Sequence, residues 1–183
     1  GARQYTFTHY GVSSGLASYE ATASLQDEYG FVWVATNNGL QRFDSQRYLS
    51  FRHEKGDTTS IPHNFVTQLL LDKKKNLWIL TGDGKVGTFD TKRFMYHEAT
   101  VKVKNTEVLT SDRELIEDEK GHLFLIFHNN EFITWNEERK EVAAIHNFIN
   151  LPDGWQFVDV LQQPGTKKYW IGRREGIAVY NLE

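Results

Sequence analysis

An all-β fold of four similar antiparallel sheets is predicted by three observations: a repeat of near-constant length, turn residues at fixed places within it, and strands that are apolar on both faces. Trp33, Trp78, Phe124 and Trp170 occupy one slot of the repeat and are spaced 45, 46 and 46 residues apart. That period matches a four-stranded propeller blade. The chain is accordingly predicted to consist of β-propeller blades, four four-stranded antiparallel repeats forming a partial propeller or a four-bladed unit. The repeats are placed at about 16–53, 61–97, 107–146 and 155–183, with 4–10 as an outer strand closing a blade. The four aromatics are expected at equivalent buried positions.

Each slot has a physical reason. The Asp27-Glu-Tyr-Gly30 segment suits a type I turn, whose leading Asp accepts backbone hydrogen bonds and whose Gly supplies freedom of φ. Asp72 and Asp118 recur at this place, and their repetition favours turn formation over a catalytic pair. Lys75 breaks the Gly slot. Further on, Asn38-Gly39 is a strong hairpin signal, and Gly84, Asn130 and Gly176 fill the same position. Asn is the non-glycine residue that best tolerates positive φ. Between the turns, Phe31-Val-Trp-Val-Ala-Thr36 is apolar on both alternating sides, so it should be covered on both. An outer strand follows, clearest in Arg47-Tyr-Leu-Ser-Phe51, and Gln4-Tyr-Thr-Phe7-Thr-His9 has the same look at the start. The chain closes after the third strand of its fourth unit, so an N-terminal strand could complete that unit. Only 112–120 has helical composition, and its place in the repeat argues for strand.

Composition narrows function by exclusion. The 183 residues carry a net charge of −3 with no basic cluster beyond Lys73-Lys74-Lys75, read as a solvated turn, which gives no electrostatic case for nucleic acid. No cysteine is present, removing disulfides, thiolate zinc sites and cysteine nucleophiles. No stretch approaches the roughly 18 apolar residues of a spanning helix, and Gly1-Ala-Arg3 is no signal peptide. An exported or anchored native protein would carry those segments outside this chain. The seven histidines, at 9, 53, 63, 97, 122, 128 and 146, show no metal-site spacing. Serine nucleophile motifs and a helix-backed phosphate loop are missing. No catalytic residue, metal ligand or cofactor is assigned.

The segment Asp27-Glu-Tyr-Gly-Phe-Val-Trp-Val-Ala-Thr-Asn-Asn-Gly-Leu-Gln-Arg-Phe-Asp44 resembles the two-component regulator propeller repeat, D-x-x-G-x-x-W-hydrophobic-x-T-x-x-G-L-x-R-[FY]-D. The opening Tyr5–Leu16 and Ser60–Val66 resemble the way such sensor proteins of Bacteroidetes begin. The resemblance is strongest in the first unit and weakest in the third, where Phe124 replaces Trp and Phe127 replaces Thr. It implies the N-terminal periplasmic sensor region of a conventional or hybrid histidine kinase. Such proteins combine propellers, usually seven-bladed, with a β-sandwich module, a membrane helix and kinase parts.

On that resemblance the chain is expected to be a non-enzymatic part of an inner-membrane sensor, recognising a carbohydrate-type ligand and working with the rest of the kinase chain. Its candidate ligand groups are Asn37, Asn38, His128, Trp155, Arg173 and Arg174, because non-repeated polar and aromatic groups on loops are where a rigid scaffold displays recognition. The expected partners are an oligosaccharide and a second copy meeting terminal blades. The alternative is a propeller-scaffold polysaccharide lyase or glycosidase, which a clustered, perturbed acid or histidine group in the central cleft would favour.

Overall fold

A computed structural model describes residues 5–102, 113–127, 132–136, 141–145, 159–173 and 176–181. It is all-β apart from one 3-10 turn at Val12–Ser14, and no helix among the described residues is long and apolar enough to cross a membrane. The first sheet comprises β1 (Ala21–Gln26), β2 (Val32–Thr36), β3 (Gly39–Phe43) and β4 (Tyr48–Phe51), paired in that order. The second comprises β5 (Val66–Leu71), β6 (Leu77–Thr81), β7 (Val86–Asp90) and β8 (Met95–Glu98).

The later sheets depart from the uniform four-strand expectation. The third has β10 (Arg113–Glu117), β11 (Leu123–Phe127), β12 (Phe132–Asn136) and β13 (Glu141–Ile145), plus a fifth strand, β9 (Thr100–Lys102), parallel to β13. Among the described residues the fourth has three strands, β14 (Asp159–Gln162), β15 (Lys168–Arg173) and β16 (Gly176–Asn181). Residues 5–10 form no strand, and among the described residues no strand pairing joins the first and fourth sheets, so the outer strand expected at 4–10 is not seen over 5–10. Tyr10 instead packs on Phe43 of the first sheet, ring centroids 4.8 Å apart, and Phe7 is 90% exposed.

The core lies between sheets. Trp33 leads a cluster joining the first sheet to Leu77, Ile79 and Phe89 of the second. Trp78 and Leu80 meet Leu115, Leu123 and Leu125 of the third. Ile126 of the third meets Val160, Tyr169 and Ile171 of the fourth. Two-sided burial of β6 and β11, each lying between two other sheets, thus follows from stacking. In the first sheet the face away from the second is covered by residues 10–17. Buried Gln41 holds that segment: its Oε1 accepts from Ala17 N (2.7 Å) and its Nε2 donates to Gly15 O (3.0 Å) and Ser50 Oγ (2.7 Å).

Trp170 corrects the burial expectation. It pairs with Leu161 as Trp33 pairs with Leu25 and Trp78 with Leu70, so its register is equivalent. Yet it is 43% exposed, beside exposed Leu161 and Val179, while Tyr169 and Ile171 point into the core. The reason is its neighbour: Trp33 and Trp78 pack on the following sheet, and among the described residues no sheet follows the fourth.

Candidate functional site

The repeated aspartates organise one end of the sheets. Asp27 Oδ1 accepts from the backbone N–H groups of Tyr29 (2.9 Å) and Phe31 (3.0 Å), and its Oδ2 accepts from Trp33 Nε1 (2.8 Å). Asp72 accepts from Asn76 N (2.7 Å), Asn76 Nδ2 (2.9 Å) and Trp78 Nε1 (2.9 Å). The slot therefore demands tryptophan as well as bulk, a link the sequence carried in the constant six-residue spacing of Asp and aromatic. Phe124 has no N–H to give, and in the third sheet His122 Nδ1 lies 2.9 Å from Asp118 Oδ2 instead. Gly30 and Gly121 take positive φ in these turns, and so does Lys75, at 68°.

This end is also tied from sheet to sheet. Lys73 Nζ donates to the carbonyls of Asp118 (3.0 Å) and Glu119, and Lys73 N donates to Glu117 Oε1 (2.8 Å). Glu119 in turn meets Gln162 Oε1 through its N–H (2.9 Å) and accepts from Gly165 N. Lys73 is thus a cross-sheet clamp rather than a freely solvated turn residue.

The opposite end carries the β2–β3 turn and the long connection from β4 to β5, and here the surface is less committed. Gly39, at φ 116°, lets the turn pass close to β4: a Cβ there would sit 2.5 Å from the Phe51 carbonyl oxygen. Its N–H donates to Asn64 O (2.6 Å), docking the connection. Asn38 Nδ2 donates to Ala17 O (3.1 Å) and Asn37 Nδ2 to Glu20 Oε2 (2.9 Å). Together with Val12, Tyr19 and Phe65 these two amides line a shallow depression of about 580 Å³. Tyr19 stands almost fully exposed over it. An aromatic ring beside amide groups offers a stacking face and hydrogen bonds together.

Of the sequence-based candidates, Asn37 and Asn38 are therefore brought together with Tyr19 and Phe65, which sequence reasoning missed because neither falls in a repeat slot. Arg173 ends β15, paired with Gly176. His128, Trp155 and Arg174 lie outside the described residues.

A second feature lies along the first strands of successive sheets. Thr22 Oγ1 donates to Val66 O (2.6 Å), and Gln68 grips Leu115 twice, Nε2 to O and Oε1 from N, both 2.7 Å. At the next interval Glu114 shares a hydrogen bond with Asp159, and its carboxyl is pushed up to about 8, first by burial and then by that bond and the Asp159 charge.

Four successive stacked sheets of this topology define β-propeller blades. Residues 60–83, in the second repeat, match the family model described as two component regulator propeller. No curated protein matches the sequence. Solved structures with the same fold include the extracellular domain of a putative hybrid two-component system from B. thetaiotaomicron, with TM-score 0.76, 20% identity, 96% of this chain covered and 25% of that one. Another is the extracellular domain of a putative one-component system from the same organism, with TM-score 0.57, 17% identity, and 100% and 32% covered. PorZ, a surface component of the type-IX secretion system of Porphyromonas gingivalis, aligns with TM-score 0.63 at 15% identity over 89% of this chain and 24% of its own. The chain thus spans about a quarter to a third of the length of these proteins.

Proposed function

We propose that this chain is part of the periplasmic sensor region of a two-component system histidine kinase. In this reading it recognises a carbohydrate-type ligand and signals across the inner membrane through segments outside the chain. The observation that carries the reading is the match of residues 60–83 to the two-component regulator propeller, within a fold shared with extracellular domains of such systems. The ligand end is assigned to the depression formed by Tyr19, Asn37, Asn38 and Phe65, because the aspartate end is consumed by bonds that hold the sheets together. The test is binding of an oligosaccharide library by calorimetry. Tyr19→Ala should abolish the heat that a binding glycan gives. The full reading frame should add a membrane-spanning segment and kinase motifs. A frame lacking both overturns the sensor reading.

The Glu114–Asp159 pair is what a second reading, an acid-base enzyme acting on polysaccharide, would require. It is weighed against the bonds from Thr22 and Gln68, which join the first strands of neighbouring sheets in the same way. The pair is read as the next such link. Glycan cleavage lost in Glu114→Gln would reverse that judgement.

A further inference from the structure

At the aspartate end the second and third sheets are tied, and so are the third and fourth, but the joint between the first and second differs. In each tie the residue after the turn aspartate reaches across. Lys73 Nζ donates to the carbonyls of Asp118 and Glu119, and Glu119 Oε1 accepts from Gly165 N. Glu28 holds this place in the first sheet. Its side chain makes no hydrogen bond or ion pair among the described residues.

The next turn explains the difference. Gly121 leaves room for the Lys73 stem: a Cβ there would already touch Lys73 Cδ at 3.8 Å, and a longer side chain would crowd it. The same slot in the second sheet holds Lys75. In place of a tie, the first joint carries an open cleft of about 330 Å³, with Glu28 and Tyr29 from the first sheet and Leu71, Lys75, Thr91 and Lys92 from the second among its lining. That volume falls within the roughly 300–1,000 Å³ of small-molecule sites.

Lys75 stands at φ 68°, whereas the corresponding residues of the first and third turns are Gly30 and Gly121. A left-handed lysine is strained, and glycine would relieve the strain without altering the turn. Strain kept at a cleft wall against so simple a remedy points to a use for the side chain.

The charges of the cleft are divided between its walls. Asp27 spends its oxygens on Tyr29 N, Phe31 N and Trp33 Nε1, so Glu28 is the carboxylate left for a ligand. Tyr29 beside it is 60% exposed. On the second-sheet side the ammonium groups of Lys75 and Lys92 have no partner among the described residues. A ligand carrying one sign of charge would satisfy one wall and be repelled by the other.

We propose that this cleft binds a free α-amino acid, its carboxylate taken by Lys75 and Lys92 and its ammonium by Glu28 and the Tyr29 ring. Leu71 gives the ligand's side chain an apolar contact, which favours apolar amino acids. The site does not rest on the sensor reading, and it shares no residue with the Tyr19 depression.

The test titrates L-leucine and L-phenylalanine by calorimetry and ligand-observed NMR. Isocaproate and phenylpropionate serve as the analogues without the amine, isopentylamine and phenethylamine as those without the carboxylate. At least one amino acid should bind in the millimolar range, and either of its singly charged analogues at least about tenfold more weakly. Lys75→Gly should weaken binding about tenfold without lowering Tm, so that lost binding is not lost folding. Lys75→Arg, which keeps the charge, should retain it. Lys167→Gln, which removes a lysine from a turn of the fourth sheet, should leave it unchanged. The proposal is overturned if neither amino acid binds, if a singly charged analogue binds as tightly as its parent, if Lys75→Gly keeps the parent affinity, or if Lys167→Gln weakens binding as much as Lys75→Gly.

Discussion

Replacing Asp72 by Asn tests whether the repeated aspartate is a latch between turn and core. The carboxylate accepts three bonds, from Asn76 N, Asn76 Nδ2 and Trp78 Nε1, and Asp72 is itself buried. An amide of the same shape has one acceptor oxygen. Turned toward Asn76 Nδ2 and Trp78 Nε1, it sets its NH2 against the Asn76 backbone N–H. Turned the other way, it strands both side-chain donors, one of them on the buried Trp78. Either way at least one bond to a charged acceptor is lost and a donor is left opposed, a cost of about 2–4 kcal/mol. At the partly exposed Asp27, water can take over, and Asp27→Asn should cost about 1–2 kcal/mol. Urea unfolding at constant slope reads both. An Asp72→Asn loss under about 0.5 kcal/mol, where surface changes fall, or a larger loss at Asp27, would refute the reasoning.

Three further outcomes are expected. Lys75→Gly should stabilise the chain by roughly 0.5–1 kcal/mol in the same assay, since Lys75 holds a left-handed conformation that costs L-residues about that much or more. Glu114 keeps its proton in the folded state up to about 8 against an ordinary 4.5, so the folded chain binds more protons across that window and stability should fall as pH rises through it. Glu114→Gln should flatten that slope, as followed by Tm from pH 4 to 9. The exposed face of Leu161, Trp170 and Val179 should drive concentration-dependent association in sedimentation, and Val179→Asp should suppress it.

The stacked-sheet architecture was legible because it is written in repetition: turn, aromatic and hairpin residues return at a period that only repeated sheets explain. Legibility fails where a residue's role depends on a neighbouring sheet. Trp170 carries the sequence signature of a buried ring, yet its burial needs a following sheet. Lys73 read as a solvated charge, but its partners sit 45 and 46 residues away on the next turn. Glu114 fell in a stretch of helical composition, and strand pairing together with Asp159 gives it its environment. At the loop end, Asn37 and Asn38 could be selected as non-repeated amides. Tyr19 and Phe65 could not, because single aromatics outside the repeat slots look alike whether they are core, surface or site.

The stacked-blade account requires that Trp33 and Trp78 each be sealed by the following sheet and latched by its own aspartate. Hydrogen exchange of the indole N–H groups, followed by NMR on dilute protein labelled at tryptophan nitrogen, tests it most directly. Trp33 and Trp78, with Nε1 bonded to Asp27 and Asp72 and rings buried against the next sheet, should exchange slowly. Trp170 should exchange rapidly. Exchange at Trp33 or Trp78 as fast as at Trp170 would contradict the stacked-blade account.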